Sequence, residues 1–345
     1  MRMAPPDRHP AARIRMNVSL SPLSAPPSPV QAVHGQTMGT TWSVQCVSAT
    51  RLDLHTLHDV VQARLDQVVA QMSTWHADTD IMRFGRGMAG EWFALQDDVL
   101  HVLTAALEIA AASEGAFDPT VSPLVAAWGF GAHAGARGRP TPADLVAARA
   151  RVGWQHLRFD ADQRRIRQPG GLMLDLSAIA KGYGVDVVAA LLRHRGIDSA
   201  LVEVGGELYG YGRKLDGQLW RVLVESSPDE EADSEGLEPR VLTLDGVAVA
   251  TSGDRWHAYA HEGRRYSHTI DPRSGEPVTD AAAAVTVVAT DAMRADAWAT
   301  ALTVMGATAG RAFAARHGLA ARFLQRSAQG LQEAMTPAFE RHLAA

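Results

Sequence analysis

The chain has 345 residues, of which 46% are hydrophobic and 21% charged, and this composition is typical of a folded globular protein rather than a disordered or fibrous one. Its formal net charge of −5 offers no general attraction for nucleic acids, whose binding surfaces on proteins are usually basic. The single cysteine, Cys46, excludes an internal disulfide framework and a cysteine-rich zinc site.

Residues 1–31 are basic and then rich in proline and serine, which predicts a disordered leader before a folded domain over residues 32–345. The leader lacks the apolar core of a secretory signal, and no cysteine is placed to accept a lipid. No apolar run approaches the roughly 18–20 residues of a membrane span. These features predict a cytoplasmic protein, or a periplasmic one if the true start differs.

The first elements follow from local periodicity. Alternation at Thr40, Trp42, Val44 and Cys46 predicts a strand within residues 34–47. Apolar residues at helical spacing predict an amphipathic helix from 54 to 72. A second helix is expected after Asp97 as its N-cap, and a third begins at Pro142 with Thr141 as its cap. A second strand is predicted at 91–95, between the first two of these helices.

The second half mixes both kinds of element. A turn and a helix are predicted between Asp175 and Gly196, and another helix from about Ala292 to Met305. An acidic loop is expected at 226–239. Strands are predicted at 201–204, 219–225, 241–244, 247–251 and 285–289. Because helices and strands alternate without a strict βαβ rhythm, the sequence favours an α+β fold over a doubly wound sheet.

One glycine motif is a false lead. Gly85-Arg-Gly-Met-Ala-Gly90 matches G-x-G-x-x-G, but a dinucleotide fingerprint needs a strand before it and a helix opening within it. Here a predicted helix precedes the motif and a predicted strand follows, so the motif is interpreted as a turn.

Several turn-rich segments point to a nucleotide. Paired glycines after a strand at Gly205-Gly206, and the Ser252-Gly253 turn, let backbone N–H groups approach an anion such as a pyrophosphate. Each segment alone is equally well explained as ordinary turn chemistry.

Asp296 and Thr300 stand four residues apart in a predicted helix and therefore share a face. A carboxylate and a hydroxyl on one face suit Mg²⁺, which takes few protein carboxylates and completes its octahedron with phosphate oxygens and water. A solvated aspartate beside a threonine that bonds to its own helix remains the alternative from this pair alone.

Further short segments complete the pattern. They are MGTTW (38–42), MSTW…D..I.RF (72–84), AFDPTVSPLV (116–125), WGFG (128–131), DLSAIAKGY (175–183), VEVGGEL (202–208), VATSGD (249–254), YSHTIDPRSG (266–275) and ADAWATAL (295–302). In wording and in order these segments resemble those of the ApbE family, the FAD:protein FMN transferases. The resemblance covers roughly residues 34–325.

The resemblance implies an α+β fold of two interlocked lobes of mixed sheet and helices, with FAD in the cleft and Mg²⁺ on its pyrophosphate. His268 is implied as the general base. The implied metal ligands are Asp296, the Thr300 hydroxyl and the main-chain oxygen of Ala178. The implied contacts of the flavin nucleotide are Met38, Trp75, Ala116, Phe117, Asp118, Asp175, Lys181 and the backbone around Ile270.

The implied reaction cleaves FAD to AMP and attaches FMN by a phosphoester to a threonine or serine of an acceptor flavoprotein, in a D-x-x-[ST]-G-A-[ST]-like motif. Two alternatives are an FAD pyrophosphatase that uses water as the acceptor, and an FAD-binding maturation factor without turnover. Some relatives carry a second carboxylate just before the metal-binding threonine, where this chain has Ala299.

Overall fold

The computed structural model describes residues 30–48, 51–134, 138–224, 237, 239–253, 258–261, 264–278, 284–327 and 330–344. The helices are α1 (Leu54–Met72), α2 (Asp80–Gly85), α3 (Asp97–Ala112), α4 (Ser122–Ala127), α5 (Pro142–Arg149), α6 (Ser177–His194), α7 (Ala292–Met305), α8 (Ala307–Arg316) and α9 (Pro337–Glu340). The first strands are β1 (Gln31–Thr37), β2 (Thr40–Val47), β3 (Trp92–Ala94), β4 (Arg158–Asp160), β5 (Arg165–Arg167), β6 (Ser199–Val204), β7 (Glu207–Tyr211) and β8 (Trp220–Val224). The later strands are β9 (Arg240–Leu244), β10 (Val247–Gly253), β11 (Ala258–His261), β12 (Arg264–Ser267), β13 (Ile270–Asp271), β14 (Glu276–Pro277), β15 (Ala284–Ala289), β16 (Ala320–Ser327) and β17 (Gly330–Met335). The mixture confirms the predicted α+β class.

Most predicted elements lie where the sequence places them, with two differences of detail. The strand predicted within 34–47 is the second arm of a hairpin, which turns at Met38 and Gly39 with positive φ at both. Asp97 lies in the first turn of α3, whose N-cap is Gln96. Thr141 caps α5 as predicted, in a reciprocal capping box with Asp144. Residues 1–29 of the predicted leader and most of the acidic loop lie outside the described residues, whereas Gln31 already belongs to β1.

The glycine motif at 85–90 is a turn, as predicted. Helix α2 ends at Gly85, strand β3 starts at Trp92, and Gly90 has a φ of 90°. The context of a dinucleotide fingerprint is therefore missing at this position.

Eight of the described strands form one antiparallel sheet, in the order β1-β2-β6-β7-β10-β15-β16-β17. Strand β2 pairs with β6, so two segments about 160 residues apart, such as Ser43 and Glu203, become direct neighbours. One face of this sheet is covered by α1, α6, α7 and α8, and its core includes Val44, Val185 and Ala295.

A second apolar core lies on the opposite side of α6 and α7. It joins these helices to α2, α3 and the small sheet β3-β5-β4, and includes Phe84, Leu103 and Ile166. Because α6 and α7 contribute residues to both cores, they form the seam along which the two parts of the molecule meet. No helix among the described residues is long and apolar enough to cross a membrane.

Candidate active site

Helices α6 and α7 touch at Gly182. A Cβ at this position would lie 2.1 Å from the carbonyl oxygen of Ala292, a distance that real side chains do not adopt. Glycine therefore allows the two backbones to approach closely. The contact is reinforced by Asp186 on α6, whose two carboxylate oxygens accept hydrogen bonds from the N–H groups of Ala292 and Met293 at 2.8 and 2.9 Å.

This close approach places Asp296 of α7 against the first turns of α6. Asp296 is 5% exposed, and its Oδ2 accepts a hydrogen bond from the Gly182 N–H at 3.1 Å. Its Oδ1 lies 3.8 Å from the Lys181 ammonium. Burial raises the pKa of Asp296, an effect partly offset by the charge of Lys181 and by the Gly182 hydrogen bond.

Lys181 lies between two carboxylates. Its ammonium is 2.5 Å from Oε1 of Glu207 on β7, and Glu207 is 2% exposed. Burial acts to lower the pKa of Lys181, but the charges of Asp296 and Glu207 together hold it above its usual value, so the ammonium is charged. Burial acts to raise the pKa of Glu207, and the charge of the neighbouring Lys181 ammonium opposes this and favours the ionised carboxylate.

The predicted metal ligands lie on these same two helices. In the first turn of α6, Ala178 departs from helical geometry, with φ −90° and ψ 15°. The Gly182 N–H, which a regular helix directs at the Ala178 carbonyl, donates a hydrogen bond to Asp296 Oδ2. Thr300 is half-buried one turn after Asp296.

The donor set fits a hard cation. One carboxylate, one hydroxyl and one backbone carbonyl are oxygen ligands of the kind that Mg²⁺ takes together with phosphate and water. The described residues contain no group of three or more His, Cys, Asp or Glu side chains arranged to hold a metal ion. Ala299 is fully buried in the sheet-facing core, so α7 supplies a single carboxylate here. A cation at this site would therefore depend on Asp296.

The loop that follows α3 is joined to the start of α6. The Asp175 N–H donates to the carbonyl of Pro119 at 2.7 Å. Asp118, which is buried, accepts hydrogen bonds from the N–H and hydroxyl of Thr120 on Oδ1 and from the Trp154 N–H on Oδ2. Asp118 therefore shapes the loop that presents Ala116 and Phe117, both of which are buried.

Two further predicted flavin contacts, Met38 and Trp75, differ sharply in exposure. Met38, at the β1–β2 turn, packs against both apolar cores and has a φ of 49°. Trp75 follows α1 and is 73% exposed. An exposed tryptophan of this size contributes little to the core and is available to stack on a planar ligand.

His268 lies in the turn between β12 and β13, and Ile270 is the first residue of β13. The half-buried His268 ring lies 6.5 Å from that of Phe130, and Trp128 Nε1 donates to the carbonyl of Gly275 at 2.9 Å. The segments WGFG and SHTIDPRSG are therefore in contact. The next turn, between β13 and β14, approaches the loop after α3, because a Cβ on Gly115 would lie 3.8 Å from Cγ of Arg273.

Two carboxylates in this region, the buried Glu207 and the half-buried Asp186, were not singled out from the sequence. Glu207 stands in a strand whose five residues, ELYGY, are all buried, and a carboxylate in such a strand is unusual unless it is paired. Asp186 interrupts an otherwise apolar stretch of α6. Both were detectable as charged residues within buried segments, but their partners were not.

The antiparallel sheet with its helical layers, and the buried cluster of Asp296, Lys181 and Glu207, define the class: an α+β protein with a charged site where α6 meets α7. A model of the ApbE family matches residues 38–323, and the chain belongs to this family. The family prediction from sequence is confirmed.

Named relatives match almost the whole chain. The FAD:protein FMN transferase of Vibrio cholerae serotype O1 is 37% identical over 326 residues, covering 93% of this chain and 96% of the relative. That of Salmonella typhimurium is 34% identical, covering 96% of this chain and 95% of the relative. The apo crystal structure of the Pseudomonas stutzeri flavinyl transferase ApbE matches with a TM-score of 0.85 at 40% identity, covering 94% of this chain and 99% of that chain.

Proposed function

We propose that this chain is an FAD:protein FMN transferase that splits FAD and attaches its FMN half to a hydroxyl of an acceptor flavoprotein. The family match over residues 38–323 supports the activity. The single structural observation that carries the proposal is the placement of Asp296, a buried carboxylate held between the Gly182 N–H and the Lys181 ammonium.

In this proposal Asp296, the Thr300 hydroxyl and the Ala178 carbonyl hold Mg²⁺. The flavin nucleotide contacts Met38, Trp75, Ala116–Asp118, Asp175, Lys181 and the backbone around Ile270. Bound Mg²⁺ would neutralise charge on the pyrophosphate and stabilise AMP as it departs. The Lys181 ammonium lies 3.8 Å from Asp296 Oδ1 and would add a second positive charge beside bound Mg²⁺. Together the two charges would favour an anionic ligand there.

His268 is proposed to accept the proton of the acceptor hydroxyl. As that proton leaves, the hydroxyl oxygen forms a bond to the phosphorus of the FMN half, and the bond from this phosphorus to the bridging pyrophosphate oxygen breaks. Phosphoryl transfer depends largely on positioning and charge neutralisation. The remaining requirement is a group that takes the proton of the acceptor hydroxyl, and a histidine side chain is suited to this role. The acceptor is expected to carry its serine or threonine in a D-x-x-[ST]-G-A-[ST]-like motif.

The test is to incubate the protein with FAD and Mg²⁺, with and without an acceptor domain carrying that motif. We expect slow AMP release without the acceptor, because a docked segment is oriented for attack and free water is not. The acceptor should speed AMP release and become fluorescent and heavier by one FMN, while an acceptor with Ala at the motif hydroxyl should do neither. Rapid AMP and FMN release unaffected by any acceptor would establish a pyrophosphatase, and FAD binding without AMP would establish a flavin carrier.

A further inference from the structure

Glu207 is a buried carboxylate to which the proposed chemistry gives no role. It is 2% exposed, and its Oε1 lies 2.5 Å from the Lys181 ammonium. Its Oε2 is buried and has no hydrogen-bond partner among the described residues. A buried carboxylate is costly unless a nearby positive charge balances it, and Lys181 is that charge.

The same ammonium also faces Asp296, but from farther away. The distance from Lys181 Nζ to Asp296 Oδ1 is 3.8 Å, which is 1.3 Å longer than the 2.5 Å to Glu207 Oε1. The single ammonium therefore balances the charge of Glu207 more closely than that of Asp296. The ammonium lies closer to β7 than to Asp296 on α7.

The β6–β7 turn is fitted around this arrangement. Gly205 has a φ of +62°, and a Cβ there would lie 3.2 Å from Lys181 Cδ and 3.5 Å from Glu207 Oε2. A side chain at this position would press on the Lys181 stem and would come into van der Waals contact with Glu207. The turn therefore restricts where the lysine stem can run.

We propose that Glu207 is a positioning residue that holds the Lys181 ammonium off Asp296 and so leaves Asp296 Oδ1 open to a divalent cation. This inference rests on the metal site of the proposed function. An ammonium in direct contact with Asp296 would compete with the cation for the same oxygen. The ammonium and the cation would also repel each other strongly, because little solvent screens charges in this buried region. With Glu207 in place, the lysine stays near the site as a second positive centre without occupying the metal position.

Binding of Mn²⁺, a paramagnetic probe of the site, tests this without turnover. The folded protein without FAD is titrated with Mn²⁺, and the free ion is measured by electron paramagnetic resonance. In Glu207→Gln the neutral amide no longer balances Lys181, so the ammonium should move onto Asp296 and the Mn²⁺ dissociation constant should rise by about tenfold. Adding Lys181→Met to Glu207→Gln removes the competitor and should restore the wild-type constant.

Two control variants separate the outcomes. Asp296→Asn should abolish Mn²⁺ binding. Glu203→Gln removes a neighbouring carboxylate that bonds to Gly206 and Ser43 instead of Lys181, and should leave the constant unchanged. If the wild type binds no Mn²⁺, or Asp296→Asn binds it normally, the proposed metal site is wrong and the inference falls with it.

Two results would overturn the inference while leaving the metal site intact. One is a Glu207→Gln variant that binds Mn²⁺ as tightly as the wild type. The other is a double variant as weak as Glu207→Gln, since a structural role of Glu207 would not be rescued by removing Lys181. If Glu207→Gln fails to fold, Lys181→Met decides the question: its Mn²⁺ affinity should equal or exceed that of the wild type, and a loss would overturn the inference.

Discussion

The backbone N–H of Gly182 donates to Oδ2 of Asp296 over 3.1 Å, and this bond joins helix α6 to helix α7 at the proposed metal site. It is possible because residue 182 has no side chain, so the backbones meet where a Cβ would overlap Ala292. The position of the carboxylate therefore depends on a glycine of the neighbouring helix.

Replacing that glycine should separate the helices. We expect Gly182→Ala to lower the free energy of unfolding by about 1–3 kcal/mol, the usual cost of overpacking a well-packed contact. AMP release from FAD should fall as well, because Asp296 is displaced. Urea unfolding measures the first effect. Gly85→Ala is the matched control, since its Cβ would meet Met173 Cγ at an ordinary 3.6 Å; equal stability of the two variants would contradict the close contact.

Removal of the carboxylate should abolish metal-dependent turnover. We expect Asp296→Ala to release no AMP from FAD and Mg²⁺ above background while its circular dichroism spectrum stays native. The reason is that α7 supplies no other carboxylate at this site, Ala299 being buried in the core. Asp245→Ala, at a side chain that is 61% exposed, is the control. Near wild-type turnover in Asp296→Ala would remove this residue from the metal site.

His268→Ala should retain FAD affinity and lose transfer. General-base catalysis contributes about 10²–10⁴-fold, so kcat for FMN transfer should fall within that range while the FAD dissociation constant stays the same. Single-turnover transfer and equilibrium fluorescence titration measure the two quantities. His194→Ala, at an exposed position in the last turn of α6, is the control. A His268→Ala variant that transfers normally, or that unfolds, would show that the histidine does not act as the base.

Trp75→Ala should weaken FAD binding without weakening the fold. The side chain is 73% exposed, so its removal exposes little core, whereas loss of an aromatic stack costs about 0.5–1.5 kcal/mol. The FAD dissociation constant should therefore rise by about 2–12-fold at an unchanged melting temperature. Met88→Ala, at a residue that is 76% exposed, serves as the control. Unchanged FAD affinity in Trp75→Ala would exclude the stacking contact.

Asp186 should make stability fall as the pH rises towards neutrality. Burial raises the pKa of Asp186 from 3.8 to about 7, and the negative charge of Asp291 adds to the rise. The hydrogen bonds from the Ala292 and Met293 N–H groups and the positive charge of Arg294 act to lower this pKa. Between these two values the folded state holds a proton that the unfolded state has released. The free energy of unfolding therefore decreases from about pH 4 to about pH 7 and levels off above.

The measurement is urea unfolding at pH 5 and pH 8. We expect Asp186→Asn to lose less stability over this interval than the wild type, by about 1–3 kcal/mol, because it lacks the titrating group. Identical pH dependence in the two proteins would show that Asp186 is ionised throughout.

Much of the local structure follows from the sequence. The bounds of α1 and α7 were predicted from helical periodicity, and the start of α5 from its capping threonine. These features depend on residues a few positions apart, whose geometry a helix sets by itself. The same reasoning places Asp296 and Thr300 one turn apart on α7 and makes them candidate ligands before any tertiary contact is known.

The contacts around Asp296 were decided by the tertiary structure alone. Gly182 and Asp296 are 114 residues apart, and Lys181 and Glu207 are 26 apart across a helix and a strand. Periodicity indicates which face of an element is buried but not which element buries it, so the sequence could show a carboxylate in a buried strand without showing the lysine that balances it. Strand order and the close approach of α6 and α7 determine that pairing, because they bring the three charged side chains into one region of low solvent exposure.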